Sequence, residues 1–134
     1  MSDNYLRIAA IIIQNEKLLM VQGAGYEELW TPGGKPELNE SDEDCLKREL
    51  AEEIGVTLIG AKYFGNYTGS SPYEANRLST NKVYICTVSG DPKPNNEIAK
   101  VIWLSKLDYN QNVYKMIPLD KNNLLPDIIK AKIF

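Results

Sequence analysis

Four charged residues crowd one short stretch of the chain: Arg48, Glu49, Glu52 and Glu53. On an α-helix the three glutamates stand at i, i+3 and i+4, so their carboxylates converge within one arc of roughly 100°. Folding alone gives no reason for this arrangement. Like charges four residues apart repel by about 0.2–0.5 kcal/mol, and acids near a helix C-terminus oppose the helix dipole. A hard divalent cation would compensate. Mg²⁺, with Mn²⁺ as a substitute, takes oxygen ligands and is commonly shared between one or two carboxylates and substrate phosphates. Such an ion offsets charge developing on a diphosphate and activates water, while a spare carboxylate takes the proton of the attacking water. Arg48 can pin a neighbouring carboxylate through a bidentate pair.

From Gly34 the residues GKPELNESDEDCLKRELAEEIGV have the form G-x5-E-x7-R-E-U-x-E-E-x-G-U, with U a bulky aliphatic residue. Seven invariant positions are filled, a coincidence on the order of one in a million from average residue usage. The segment Gly34 to Val56 resembles the signature box of the Nudix hydrolase family, of MutT-like size. The resemblance implies an α/β/α sandwich around a central mixed β-sheet, with residues 1–134 as one domain and the box as loop, helix and loop. It implies Mg²⁺-dependent hydrolysis of a diphosphate linkage. Glu52 and Glu53 are then the principal metal ligands, Glu49 a ligand or the general base, and Arg48 the residue that orients a catalytic glutamate. The Gly33 carbonyl completes the coordination, and Glu40 supports the loop or holds metal through water. Family members often draw one more carboxylate from outside the box, for which Glu97 is the candidate and Glu74 the substitute. The leading expectation is a nucleoside triphosphate pyrophosphohydrolase, giving a nucleoside monophosphate and pyrophosphate. The alternatives are hydrolysis of ADP-ribose, a nucleotide sugar or a dinucleoside polyphosphate, and a non-catalytic nucleotide sensor, against which the intact box argues.

The elements that must position these residues follow from local patterns. Ser41 offers a helix N-cap with Asp44 three residues on, Asp42 and Glu43 suit the positive end of the dipole, and Gly55 stands where a glycine stop is expected. A helix is therefore predicted from about Asp42 to Ile54, with Leu46, Leu50 and Ile54 as its packing stripe. Before it, Leu6 to Ile13 and Lys17 to Val21 read as strands joined by a turn at Gln14-Asn15-Glu16, Gly23 to Glu28 as a loop, and Trp30 to Gly34 as a breaker cluster. After it, Val56 to Phe64 reads as a strand. Gly65 to Thr80 reads as a long loop of the kind kept for binding or lid roles. Asn81 to Val88 and Ile98 to Leu104 read as strands around a Pro-containing connection, and Asn123 to Lys130 as a short helix.

Composition narrows the partners. With 43% apolar and 25% charged residues the chain is of globular type, and 134 residues suffice for one core. A net charge of −3 without histidine, and no block of Lys or Arg, disfavours long nucleic acid and favours a small nucleotide-like substrate. The apolar run Ile8 to Ile13 is too short to span a bilayer and no signal peptide precedes it, so a cytoplasmic location is expected, as a monomer or homodimer. Cys45 and Cys86 lack metal spacing and are expected as buried free thiols. Substrate recognition is left open. Tyr5, Tyr67, Tyr73 and Tyr84 are candidates for stacking on a base. By resemblance, Asn122 and Asn123 lie near the place of a base-reading asparagine, and Thr31 stands where many relatives carry a larger apolar residue.

Overall fold

The computed structural model describes residues 4–70 and 77–134; Tyr73 and Glu74 lie outside the described residues. Strand β1 (Tyr5–Ile11) leads through Ile12 into the short β2 (Ile13–Gln14), which turns back into β3 (Lys17–Gly23). Asn15 and Glu16, both at positive φ, form a two-residue hairpin loop closed by the pair Gln14 and Lys17. The run Leu6 to Ile13 is thus two strands rather than one, because the chain passes at Ile12 from one set of pairings to another.

One sheet has the order β5 (Gly33–Gly34), β1, β7 (Leu78–Ser89), β6 (Thr57–Ser70), with β1 and β7 parallel and the other pairs antiparallel. The second joins β2, β3 and β4 (Leu29–Trp30), with β8 (Ile98–Ser105) on the other side of β3. Both β1 and β3 are buried on both faces, which is why they read as continuous apolar runs. Ile8, Ala10, Leu19 and Val21 pack on one side against Cys45, Leu46, Leu50 and Ile54 of helix α1 (Asp42–Ile54). Ala9, Ile11, Leu18 and Met20 pack on the other against Leu124, Leu125 and Ile128 at the C-terminal end. Helices on both sides of a mixed sheet layer make this the expected α/β/α sandwich.

Helix α1 begins and ends as its sequence dictates. Ser41 Oγ accepts from the Asp44 N–H at 3.1 Å, and Gly55 closes the helix at φ 68°, its N–H reaching the Ala51 carbonyl. Two other elements differ from expectation. The segment Gly65 to Thr80 is not one long loop: Gly65 to Ser70 continue β6, and Leu78 to Thr80 begin β7, in register from Gly65 against Val83 to Ser70 against Leu78. Its Gly, Ser, Asn and Tyr content suits a ribbon whose side chains are half exposed, so cross-strand pairing rather than an apolar pattern decides it. The C-terminal helix starts earlier than Asn123, with a wide π-type turn (Asp120–Leu124) leading into α3 (Leu125–Lys130). A further short helix, α2 (Lys106–Asn110), is held by a reciprocal cap between Ser105 and Asp108. Both cysteines are buried free thiols, and burial pushes each up to about 12. Among the described residues no helix is long and apolar enough to cross a membrane.

Candidate active site

The C-terminal half of α1 and the β1–β5 pairing meet at a cluster of acids. Single carboxylate oxygens of Glu49, Glu53 and Glu97 all lie within 4.8 Å of one another. Glu53 is buried against the turn before α1, and its Oε1 accepts from the Gly33 N–H at 3.0 Å. Gly33 takes φ 149°, and a Cβ there would stand 2.0 Å from the Ile8 carbonyl oxygen, so only glycine lets β5 lie this close to β1. At Gly34 a Cβ would stand 2.3 Å from the Glu49 carboxyl carbon. The box glycine is absent of side chain because the carboxylate occupies that volume.

Glu97 arrives from the residue before β8, its own carbonyl accepting from the Ala24 N–H at 2.8 Å. Glu52 does not join this group. It is half exposed, with Oε2 3.4 Å from Arg48 Nη1, while its backbone carbonyl accepts from Asn96 Nδ2. Arg48 is the organiser of the surrounding acids. Its fork is bidentate to Glu40, with Nε to Oε2 at 2.8 Å and Nη2 to Oε1 at 2.9 Å, while Nη1 donates to Glu49 Oε1 at 2.7 Å. Nη2 also donates to the Lys35 carbonyl at 3.1 Å. The bidentate pair thus forms with Glu40, and Glu49 is held through a single arm. Glu40 also accepts from the Glu37 N–H, which folds the box loop back on itself. Arg48 holds the Glu40 carboxyl down to about 2, assisted by that backbone bond.

The convergent acids behave oppositely. Burial pushes the Glu53 carboxyl up to about 7; Arg7 and the Gly33 N–H oppose the rise, and the charges of Glu49 and Glu97 add to it. Glu49 is also raised, first by burial and then by Glu52 and Glu97, against the pull of Arg48. Carboxylates so close, two of them drawn out of water, are an oxygen donor set fitted to a divalent cation, which would remove the repulsion.

Beside the acids, and sharing Gly34 with them, lies a largely apolar cavity of about 290 Å³. Tyr5, Arg7, Tyr26, Trp30, Lys35, Ser79, Asn81, Ile117 and Leu119 contribute to its wall. Tyr26 packs edge-on to Trp30 at 5.6 Å between ring centroids. Of the tyrosines expected to stack, Tyr5 lines this cavity. Tyr67 is instead packed on the core face of α3 with its hydroxyl on Asp127, and Tyr84 on the α1 side with its hydroxyl on Asp42. Asn122 and Asn123 are exposed and do not line it. The buried polar residue of that segment is Asp120, whose Oδ2 accepts from the Thr31 N–H at 3.0 Å. Burial pushes its carboxyl up to about 6, against the attraction of Arg7.

Arg7, Asn81 and Asp120 were not singled out by sequence reasoning, and Thr31 was noted only for its small size. The only available signal was Arg7, the one charged residue within the apolar run Leu6 to Ile13. It occupies the same strand face as Ala9 and Ile11, which are core.

The model of the NUDIX domain matches residues 4–127. The chain belongs to the NUDIX family. Among curated relatives it is 30% identical over 118 residues to the mRNA-decapping enzyme subunit 2 of Saccharomyces cerevisiae, covering 82% of this chain and 12% of that protein. It is 35% identical over 78 residues to the 8-oxo-dGTP diphosphatase of Haemophilus influenzae, covering 54% of this chain and 57% of that one. The chain thus spans only part of the length of these relatives. In fold it is similar to the MutT protein from Methanosarcina mazei, with TM-score 0.81 and 18% identity over 98% of this chain and 97% of that one. It is also similar to the E. coli ORF135 protein, with TM-score 0.76 and 23% identity over 98% and 94% of the two chains. At these identities the structural likeness speaks to the fold alone.

Proposed function

We propose that this NUDIX domain is a divalent-cation-dependent nucleoside triphosphate pyrophosphohydrolase that releases a nucleoside monophosphate and pyrophosphate. The observation that carries the proposal is the convergence of Glu49, Glu53 and Glu97, with Glu49 against Gly34 of the cavity wall. Catalysis at a diphosphate needs charge neutralised at one end and the rest of the substrate seated at the other, and the two features stand side by side. The relative named 8-oxo-dGTP diphosphatase agrees with this substrate class.

Glu49, Glu53 and Glu97 would hold Mg²⁺ or Mn²⁺, with Glu52 and the Gly33 carbonyl as further oxygen donors. When bound, the ion supplies charge neutralisation at the diphosphate and makes a water more acidic. The remaining chemistry belongs to the protein. Glu49, kept in place by Arg48 and in poorly solvating surroundings, accepts the proton of the attacking water at its carboxylate. Arg48 holds Glu40 and Glu49 at fixed positions relative to the loop and acts as a positioning residue. The aromatic walls of the cavity exclude water from the group beyond the phosphates.

Purified protein assayed with Mg²⁺ against nucleoside triphosphates, ADP-ribose, nucleotide sugars, dinucleoside polyphosphates and capped RNA, with product identification, tests the proposal. Turnover of triphosphates to monophosphate and pyrophosphate, abolished by EDTA, is expected. A faster rate on any other class would replace the substrate assignment. Nucleotide binding without hydrolysis of anything would replace the enzyme by a sensor.

A further inference from the structure

The acids account for the diphosphate, but nothing in them chooses what lies beyond it. The cavity that would receive that group is lined by Arg7, whose charge is balanced at longer range by the buried carboxyls of Glu53 and Asp120. Arg7 is half-buried on β1, and among the described residues no carboxylate comes within ion-pair distance of its guanidinium. Glu53 and Asp120 attract it without forming a bidentate pair, so the fork of the guanidinium is left for other acceptors.

The guanidinium is nevertheless held at two points. One nitrogen, Nη2, donates to the Thr31 carbonyl, and Nη1 donates to Asn81 Oδ1 at 3.4 Å. Asn81 is directly opposite Arg7 in the parallel pairing of β1 with β7. Its amide is turned by its own bond to Ser79, Nδ2 donating to Oγ at 3.2 Å, so the oxygen faces Arg7. Among the described residues two of its five N–H groups are engaged, both to neutral acceptors, which leaves donors for a ligand. Lys35, on the same wall, stands with Nζ 4.4 Å from the centroid of the Tyr5 ring, so a second donor cation flanks the cavity. Apart from Ser70, the other side chains of the wall are aromatic or aliphatic.

We infer that Arg7 is the specificity-determining residue of this site, its clamped guanidinium pairing with two adjacent hydrogen-bond acceptors on the group beyond the diphosphate. Two sources offer that chemistry: the O6/N7 edge of a guanine-type base, and an anionic carboxylate on a sugar. Adenine presents an N6 donor at the same edge. Oxidation of guanine at C8 places a proton on N7, so 8-oxoguanine also sets a donor against the fork. Where a base is the source, the chain selects unoxidised guanine over 8-oxoguanine, unlike what the name of its Haemophilus relative describes. The inference rests on the diphosphate-hydrolase reading for its kinetics, but not for its binding.

The test uses matched pairs: GTP against ATP, dGTP against 8-oxo-dGTP, and UDP-glucuronic acid against UDP-glucose. For wild type, Arg7→Gln and Arg7→Lys, kcat/KM is measured with Mg²⁺. Affinity for the same compounds is measured by tryptophan fluorescence with Mg²⁺ withheld, Trp30 lining the cavity. We expect wild type to favour the acceptor-bearing member of at least one pair by about tenfold or more, and Arg7→Gln to bring that ratio close to one. The pair that responds identifies the source. Arg7→Lys, which keeps the charge and loses the planar fork, should retain only part of the preference. If Arg7→Gln does not fold, as judged by circular dichroism, the lysine variant decides. A wild type without preference in any pair, or an Arg7 variant that lowers both members equally, overturns the inference and leaves the hydrolase reading standing. Absence of all hydrolysis overturns that reading instead, and the binding ratios then decide the role of Arg7.

Discussion

The two halves of the site are built in opposite ways. The acidic half draws Arg48, Glu49 and Glu53 from a single helix, where spacing alone brings side chains together, and adds only Glu97 from elsewhere. The cavity half draws Tyr5 and Arg7 from β1, Trp30 from β4, Ser79 and Asn81 from β7, and Ile117 and Leu119 from the approach to the last helix. The acidic half is crowded with one sign of charge and gains from a cation. The cavity half is largely apolar, its guanidinium donates only to neutral acceptors among the described residues, and it gains from a further acceptor. A reaction centre can thus be written locally in the chain, whereas a selective pocket needs the whole sheet.

Mutations in the two halves should separate rate from selectivity, and the largest effect belongs to the acids. Glu53→Gln is expected to lower kcat by at least about a hundredfold while leaving the ranking of substrates unchanged. A shifted ranking would break the division. Arg48→Gln releases both Glu40 and Glu49, and we expect a kcat loss of about ten- to a hundredfold with KM little changed. Gly34→Ala should come next, because the added methyl meets the Glu49 carboxylate; a fall in kcat of about tenfold is expected, partly restored in steady-state kinetics by higher Mg²⁺.

Stability offers a finer probe of the same contrast. The unfolded chain releases the Glu53 proton near 4.5, whereas the folded chain holds it up to about 7. Between those values the folded state binds more protons, so without divalent cation stability falls as pH rises. Asp120 adds to the fall across the interval from 3.8 to about 6. Thermal melts in EDTA should show Tm dropping by on the order of 5 °C from pH 5 to pH 7.5, Mg²⁺ should recover part of it, and Glu53→Gln should flatten the slope. The smallest effect is expected for Tyr67→Phe. It removes one exposed hydrogen bond to Asp127, which touches neither the acids nor the cavity wall, although Tyr67 is the cross-strand neighbour of Asn81, and should cost no more than about 1 kcal/mol in a urea titration without altering kcat.

What could be read in the chain follows this division. Helix α1 was legible to its ends, because Ser41, Gly55 and the Leu46, Leu50, Ile54 stripe are interactions among near neighbours. Glu97 was legible only as a candidate, since the backbone bond from Ala24 and the pairing of β8 with β3 bring it to the acids. The extent of β6 and β7 was not legible: residues such as Gly65, Asn66 and Thr68 carry no apolar alternation, and their strand form comes from partners in β7. Arg7 was passed over within an apolar run, because its meaning depends on Thr31 and Asn81, 24 and 74 residues away.

By itself, then, the order of residues determined the family box, the helix that carries it and the acids that would hold a cation, all consequences of a 3.6-residue period and of caps at fixed offsets. Only the tertiary structure decided which acids converge, that Glu52 faces Arg48 while Glu97 joins Glu49 and Glu53, and that Arg7 meets the cavity held by Thr31 and Asn81. The physical reason is that a helix sets its own geometry from local hydrogen bonds. A sheet places each side chain only once its neighbours' register is set, and that register is written by burial on both faces of the sheet layer.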